Sequence, residues 1–116
     1  MINLSFASIN VKAGSFMVTR LQYSGGGDWY ADPSSIPNLL KFIDKNTNIT
    51  VNGDENRSKI GEDEFYNSYY LYLTGHGNIS FSDKEAQELR KFLLEGGFLH
   101  ADDNYGMDIS FRREMK

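Results

Sequence analysis

Tyr69 to Gly77 reads YYLYLTGHG, an unbroken aromatic and aliphatic run that stops at a threonine, two glycines and a histidine. A strand wetted on one face alternates apolar with polar residues, whereas a strand covered on both faces has no need to. Tyr69 to Leu73 does not alternate, so it is expected to be an interior strand with a layer packed on each side.

Working outward, Ser82-x-x-Glu85 forms a capping box, and Ala86, Leu89 and Leu93, with Phe92 beside them, make the inward stripe of a helix. Gly96-Gly97 closes that helix, and Phe98 to Asp102 is a further short strand. Asp108 is expected to cap a last helix from about Ile109. On the other side, Phe16 to Tyr23 alternates, with Met17, Thr19, Leu21 and Tyr23 on one side and Val18, Arg20 and Gln22 on the other. The run ends in Ser24-Gly25-Gly26-Gly27-Asp28, which continues neither strand nor helix. A helix capped by Ser34 or Ser35 follows. Pro37 suits its first turn, Ile36, Leu39, Leu40 and Ile43 form its stripe, and Asn46 to Asn48 ends it. Ile49 to Val51 reads as a short edge strand, and Asn52 to Asn67 as a polar loop with one helical turn near Glu62 to Tyr66.

Strands alternating with helices imply an α/β fold, a three-layer α/β/α sandwich around a mostly parallel sheet. Because the last helix lacks a terminating signal, the sheet is expected to be incomplete and the domain truncated. Residues 1–15 are expected to be a flexible N-terminal segment and 16–116 the folded domain. Met1 to Gly14 (MINLSFASINVKAG) also resembles the tail of a secretion signal, but lacks a basic start and a long apolar centre.

Composition narrows the function classes. The 116 residues carry 16 acidic against 12 basic side chains, a net charge of -4, which disfavours a nucleic-acid partner. There is no cysteine, hence no disulfide and no thiol nucleophile. No apolar run approaches the ~20 residues of a membrane span. No motif implies a cofactor, and nothing sets the oligomeric state.

In open parallel sheets ligands bind beyond the carboxyl ends of the strands. Three segments are expected there: Gly25-Gly26-Gly27-Asp28-Trp29-Tyr30, Thr74-Gly75-His76-Gly77-Asn78, and Asp102-Asp103-Asn104-Tyr105-Gly106. The triple glycine is read as a tight turn that aims Asp28 and Trp29 inward rather than as a phosphate cradle, since Asp28 follows at once and no lysine is present. Trp29 and Tyr30 either pack on the sheet or offer a stacking platform to a flat polar ligand. His76, between two glycines, is a candidate acid, base or ligand contact. His100, within a strand, is read as a satisfied core histidine. Asp102 and Asp103 are adjacent carboxylates, either of which suits a general base. The competing reading has Asp103 or Asn104 bonding backbone amides to shape the turn. The set Asp28, His76 and Asp102 matches no established metal spacing. Candidate catalytic residues are therefore His76, Asp102 and Asp103. Candidate ligand contacts are Gly26, Gly27, Asp28, Trp29, Tyr30, Gly75, His76, Gly77, Asn78, Asp102, Asp103, Asn104 and Tyr105.

The runs GGGDWYADPSSIPNLLKFI, YLTGHGNISFSDKEAQELRKFLLEGGFLHADDNYGMD and FRREMK resemble the domain of unknown function 4159 family of bacterial proteins, from about Phe16 to Lys116. That resemblance supplies no catalytic residue. It implies an exported or envelope-associated parent protein. The order strand, glycine turn, helix, Gly-Gly, strand is also similar to the class I glutamine amidotransferase-like superfamily, with a flavodoxin-like sheet. In those enzymes a nucleophilic cysteine stands where Asp102-Asp103-Asn104 stands here, so their glutamine chemistry is excluded. The expected function is a non-catalytic or degenerate module that binds a small polar ligand such as a carbohydrate. The alternatives are a hydrolase with an Asp or His general base, and a structural domain of an envelope complex.

Overall fold

The computed structural model describes residues 15–116. The expected flexible segment therefore lies outside the described residues, Ser15 apart. The elements are β1 (Val18–Leu21), α1 (Ser35–Asn46), β2 (Asn56–Ser58), a 3₁₀ turn (Asp63–Asn67), β3 (Tyr70–His76), α2 (Asp83–Leu94), β4 (Phe98–Tyr105) and α3 (Asp108–Glu114). The sheet runs β2-β1-β3-β4 and every pairing is parallel. This is an α/β sandwich compatible with a flavodoxin-like arrangement.

The YLYL run explains the layering. Successive side chains of a strand point to opposite faces. Tyr72 packs with Val18 of β1 and with Ile36 and Leu40 of α1. Leu71 and Leu73 instead join Leu21, Phe65, Leu89, Phe92 and Met107, beneath the 3₁₀ turn, α2 and the start of α3. One helix thus covers one face, and the remaining helical elements cover the other. Chain direction reverses at β1: it leaves through α1 to β2 on one flank, and then returns to β3 on the other. The carboxyl ends of β1 and β3 therefore flank the switch point, where adjacent connections diverge and leave a crevice.

Local signals set the ends of α2. The Ser82 hydroxyl accepts the Glu85 amide at 3.1 Å, and the Glu85 carboxylate accepts the Ser82 amide at 3.0 Å. Among the described residues, no helix is long and apolar enough to cross a membrane.

Five local expectations need correction, the first being that β3 runs on to His76, so Thr74 to His76 belong to the strand rather than to a loop beyond it. The outer strand is Asn56–Ser58, inside the stretch expected to be loop, while Val51 makes only an isolated bridge to Phe16 and Ile49 is exposed. Asn56 is held there by side-chain bonds to Thr19 Oγ1 (3.0 Å) and the Glu64 carbonyl (2.7 Å), contacts that no local pattern encodes. Neither serine caps α1 through its side chain; the Ser35 hydroxyl donates to the Asp32 carbonyl instead. β4 continues to Tyr105, so Asp102 to Asn104 belong to the strand rather than to a loop beyond it. Lastly, Asp108 does not cap α3. Asp103 accepts the Met107 amide at 3.1 Å, and Asp108 pairs with Arg112 at 2.7 Å within the helix.

Candidate functional site

At the carboxyl edge the glycine segment after β1 lies alongside the end of β3 and the residues that follow it. Besides the bonds of the Asp28 carboxylate, four hydrogen bonds tie them. Ser80 N–H donates to the Ser24 carbonyl (2.7 Å), Gly27 N–H to Asn78 (2.9 Å), Asp28 N–H to His76 (3.2 Å), and Asn78 Nδ2 to Gly25 (3.2 Å). Backbones can approach this closely only where side chains are missing. A Cβ on Gly27 would stand 2.8 Å from the Tyr23 ring, and one on Gly75 would stand 2.8 Å from the Asp28 carbonyl. Gly26 alone of the triplet's last two has open space around it. Gly25, Gly27 and Gly75 thus serve packing between the two segments.

The result of that packing is a carboxylate–imidazole pair. Asp28 Oδ2 lies 3.0 Å from His76 Nδ1, and Asp28 Oδ1 also accepts the His76 backbone N–H. An ionised carboxylate only accepts, so Nδ1 carries a proton, and in the neutral ring Nε2 keeps its lone pair. Nε2 takes no hydrogen bond among the described residues, and the His76 side chain is 56% exposed. A fixed tautomer with a free, solvent-facing nitrogen can accept a hydrogen bond from a ligand or take a proton.

The His76 backbone N–H, followed by the ring's own hydrogen bond and charge, holds the Asp28 carboxyl below its ordinary 3.8. A depressed carboxyl contributes stability that is present above the unfolded value and lost as pH falls through the lowered one. Thermal melts across the acid range are therefore expected to drop more steeply below pH 3.8 in the native chain than in Asp28→Asn. Equal acid limbs would show that the pair contributes nothing to folding.

Beneath the pair lies Tyr23, buried two residues beyond β1, whose hydroxyl donates to the Thr74 carbonyl at 3.0 Å. Burial, then the charges of Asp28 and Asp103, push its phenol up to about 12. It stays protonated and acts as a fixed donor in the floor of the site.

β4 completes the edge. Its register places Tyr105 beside His76, and the Gly77 N–H donates to the Tyr105 carbonyl at 3.3 Å. Tyr105 is 81% exposed. Asn104 Nδ2 donates to Asp32 Oδ2 at 2.7 Å, which ties β4 to the segment after Tyr30. Trp29 packs partly on the α2-side core with its ring edge-on to Tyr30, which stands exposed.

The structure thus brings Gly27, Asp28, Gly75, His76, Gly77 and Asn78 into direct contact, with Tyr105 and Asn104 at the margin. The two aspartates do not act as a pair. Strand alternation separates their side chains, Asp103 is engaged by the Met107 amide, and Asp102 stands exposed with its carbonyl accepting Thr74 Oγ1 at 2.9 Å. Among the described residues no three His, Asp or Glu side chains are grouped to hold a metal ion, so Asp28, His76 and Asp102 do not form a ligand set. His100 meets the expectation of a satisfied histidine, with Nδ1 2.8 Å from the Tyr70 hydroxyl.

Sequence reasoning missed four residues that build the site: Arg20, Tyr23, Asp32 and Arg113. Arg113 donates to the Ile79 carbonyl (2.9 Å) and reaches Asn78 Oδ1 (3.4 Å), which anchors the histidine segment to α3. Arg20 did carry a signal, because a charged residue inside a strand covered on both faces must find buried partners.

Comparison with known proteins adds one finding. The family model described as a domain of unknown function (DUF4159) matches residues 17–116. No curated protein matches the chain.

Proposed function

The chain belongs to the domain of unknown function 4159 family, and for this member we propose a non-catalytic, amidotransferase-like module that binds a small polar ligand such as a carbohydrate. The observation that carries this reading is the Asp28–His76 pair at the switch point, with Nε2 free and the exposed Tyr105 opposite His76 in the sheet register. Sugar recognition draws on two kinds of contact: polar groups that meet hydroxyls, and aromatic faces that cover the ring's C–H surface. His76 supplies the first, and Tyr105 and Tyr30 supply the second. The chain has no cysteine to act as nucleophile.

Titration with neutral mono- and disaccharides, followed by amide and histidine-ring NMR, tests the proposal. Ligand-dependent shifts are expected at His76, Gly77 and Tyr105. Loss of the imidazole in His76→Ala is expected to weaken binding about tenfold, the effect of one hydrogen bond of ~1.4 kcal/mol. Shifts confined to other faces, or affinity unchanged in both His76→Ala and Tyr105→Ala, would overturn it.

The fixed tautomer of His76 favours one second reading, a hydrolase in which Nε2 is the general base. Turnover that disappears in both His76→Gln and Asp28→Asn would distinguish that enzyme from a binder.

A further inference from the structure

Arg20 stands within β1 with no solvent exposure, and its guanidinium uses all five of its N–H donors. Nε donates to Glu55 Oε2 at 2.7 Å. Nη1 donates to the carbonyls of Trp29 (3.3 Å) and Ala31 (2.7 Å), and Nη2 to the Asp32 carbonyl (3.1 Å) and Ser35 Oγ (3.3 Å). The plane also lies over the Tyr72 ring, 5.5 Å from its centroid.

Neutralising a buried cation takes one carboxylate, and Glu55 provides it. The other four donors all go to residues 29–35, more than charge balance requires. That segment is the one that reaches across the edge of the sheet. Asp28 precedes it and grips His76; Asp32 lies within it and accepts from Asn104 of β4 at 2.7 Å. Asp32 has φ of 53°, a left-handed conformation that a non-glycine residue keeps only where its surroundings over-determine it. Its carbonyl accepts Arg20 Nη2, the Ser35 hydroxyl (2.8 Å) and the Ser35 N–H (3.0 Å).

We propose that Arg20 is the positioning residue of the carboxyl-edge site: from the interior it fixes residues 28–32 so that Asp28 meets His76 and Asp32 meets Asn104 before any ligand arrives. The site's function rests on the reading above, but this inference is tested without a ligand. A lysine keeps the charge and the Glu55 pair, yet its donors radiate from a single atom and do not span three carbonyls and a hydroxyl.

The experiment compares the full chain with Arg20→Lys by NMR at mildly alkaline pH. It reads the protonated ring nitrogen of His76 and the exchange rate of its amide. In the native chain the proton is expected on Nδ1 and the amide to be protected. In Arg20→Lys the ring is expected to shift to the Nε2-protonated tautomer and the amide to exchange about tenfold faster, while α2 amides keep their rates. An unchanged tautomer and an unchanged amide in folded Arg20→Lys would overturn the proposal. Should that variant not fold, the native spectrum decides. Separately resolved, slowly exchanging Arg20 Nη hydrogens support the proposal, and one averaged, rapidly exchanging signal sinks it. The two readings fail separately. A dyad that loosens in Arg20→Lys in a chain that binds no saccharide removes the ligand proposal and keeps the positioning role. A chain that binds saccharide at His76, with tautomer and amide unchanged in folded Arg20→Lys, does the reverse.

Discussion

Replacing Gly75 by alanine is expected to destabilise the fold by roughly 3–5 kcal/mol, the range of overpacking combined with backbone strain. Two independent costs meet at this position. The residue has φ of 146°, which a side chain rarely adopts, and its Cβ would stand 2.8 Å from the Asp28 carbonyl and 2.9 Å from Asp28 Oδ1, against the Tyr23 hydroxyl. Relief by one route aggravates another. Moving the Asp28 segment breaks its bonds to His76, and moving Tyr23 breaks its bond to Thr74. Urea denaturation with a common slope reads the effect directly. The same alteration should separate the carboxylate from the imidazole, so the variant tests packing and site together. A cost below about 1 kcal/mol would mean that the two segments part easily, contrary to the close approach described.

Arg20→Met is the second large effect, at about 3–5 kcal/mol, the usual result of removing one partner from a buried ion pair. Methionine fills much of the volume along the stem, so the loss is electrostatic rather than a cavity. Three carbonyls and the Ser35 hydroxyl lose a donor, and Glu55 loses its 2.7 Å partner, while the Nε of Arg57 remains at 3.5 Å. Chemical denaturation of Arg20→Met beside Arg20→Met/Glu55→Gln separates the terms. If the stranded carboxylate dominates, the double variant recovers a substantial part of the loss. If the unsatisfied carbonyls dominate, it recovers little. A single variant as stable as the native chain would remove Arg20 from any structural role.

Much of this was legible along the chain. The uniform apolarity of Tyr69 to Leu73 identifies a strand buried on both sides, and Leu71 and Tyr72 do face opposite layers. Ser82 and Glu85 mark the start of α2, because a capping box is complete within four residues. The Ile36 and Leu40 stripe faces the sheet, though Leu39 is partly exposed, since α1 rests on a narrow strip of β1 and β3. The strand misplaced is one whose bonds come from outside it: β2 is held by Asn56 bonding to Thr19 and to the Glu64 carbonyl. The turn before α3 follows one of the two readings the chain offers, with the Asp103 carboxylate accepting a backbone amide.

The same division runs through the edge site. Sequence determines that glycines, Asp28, His76 and Tyr105 follow strand-forming runs, because periodicity and turn chemistry are properties of neighbours in the chain. It excludes a thiol nucleophile outright. Only the tertiary structure decides that Asp28 grips His76 48 residues away and that Arg20 reaches from the core to hold the connecting segment. Those contacts depend on strand order and register, which arise from burying both faces of one sheet at once and leave no mark on the residues beside them.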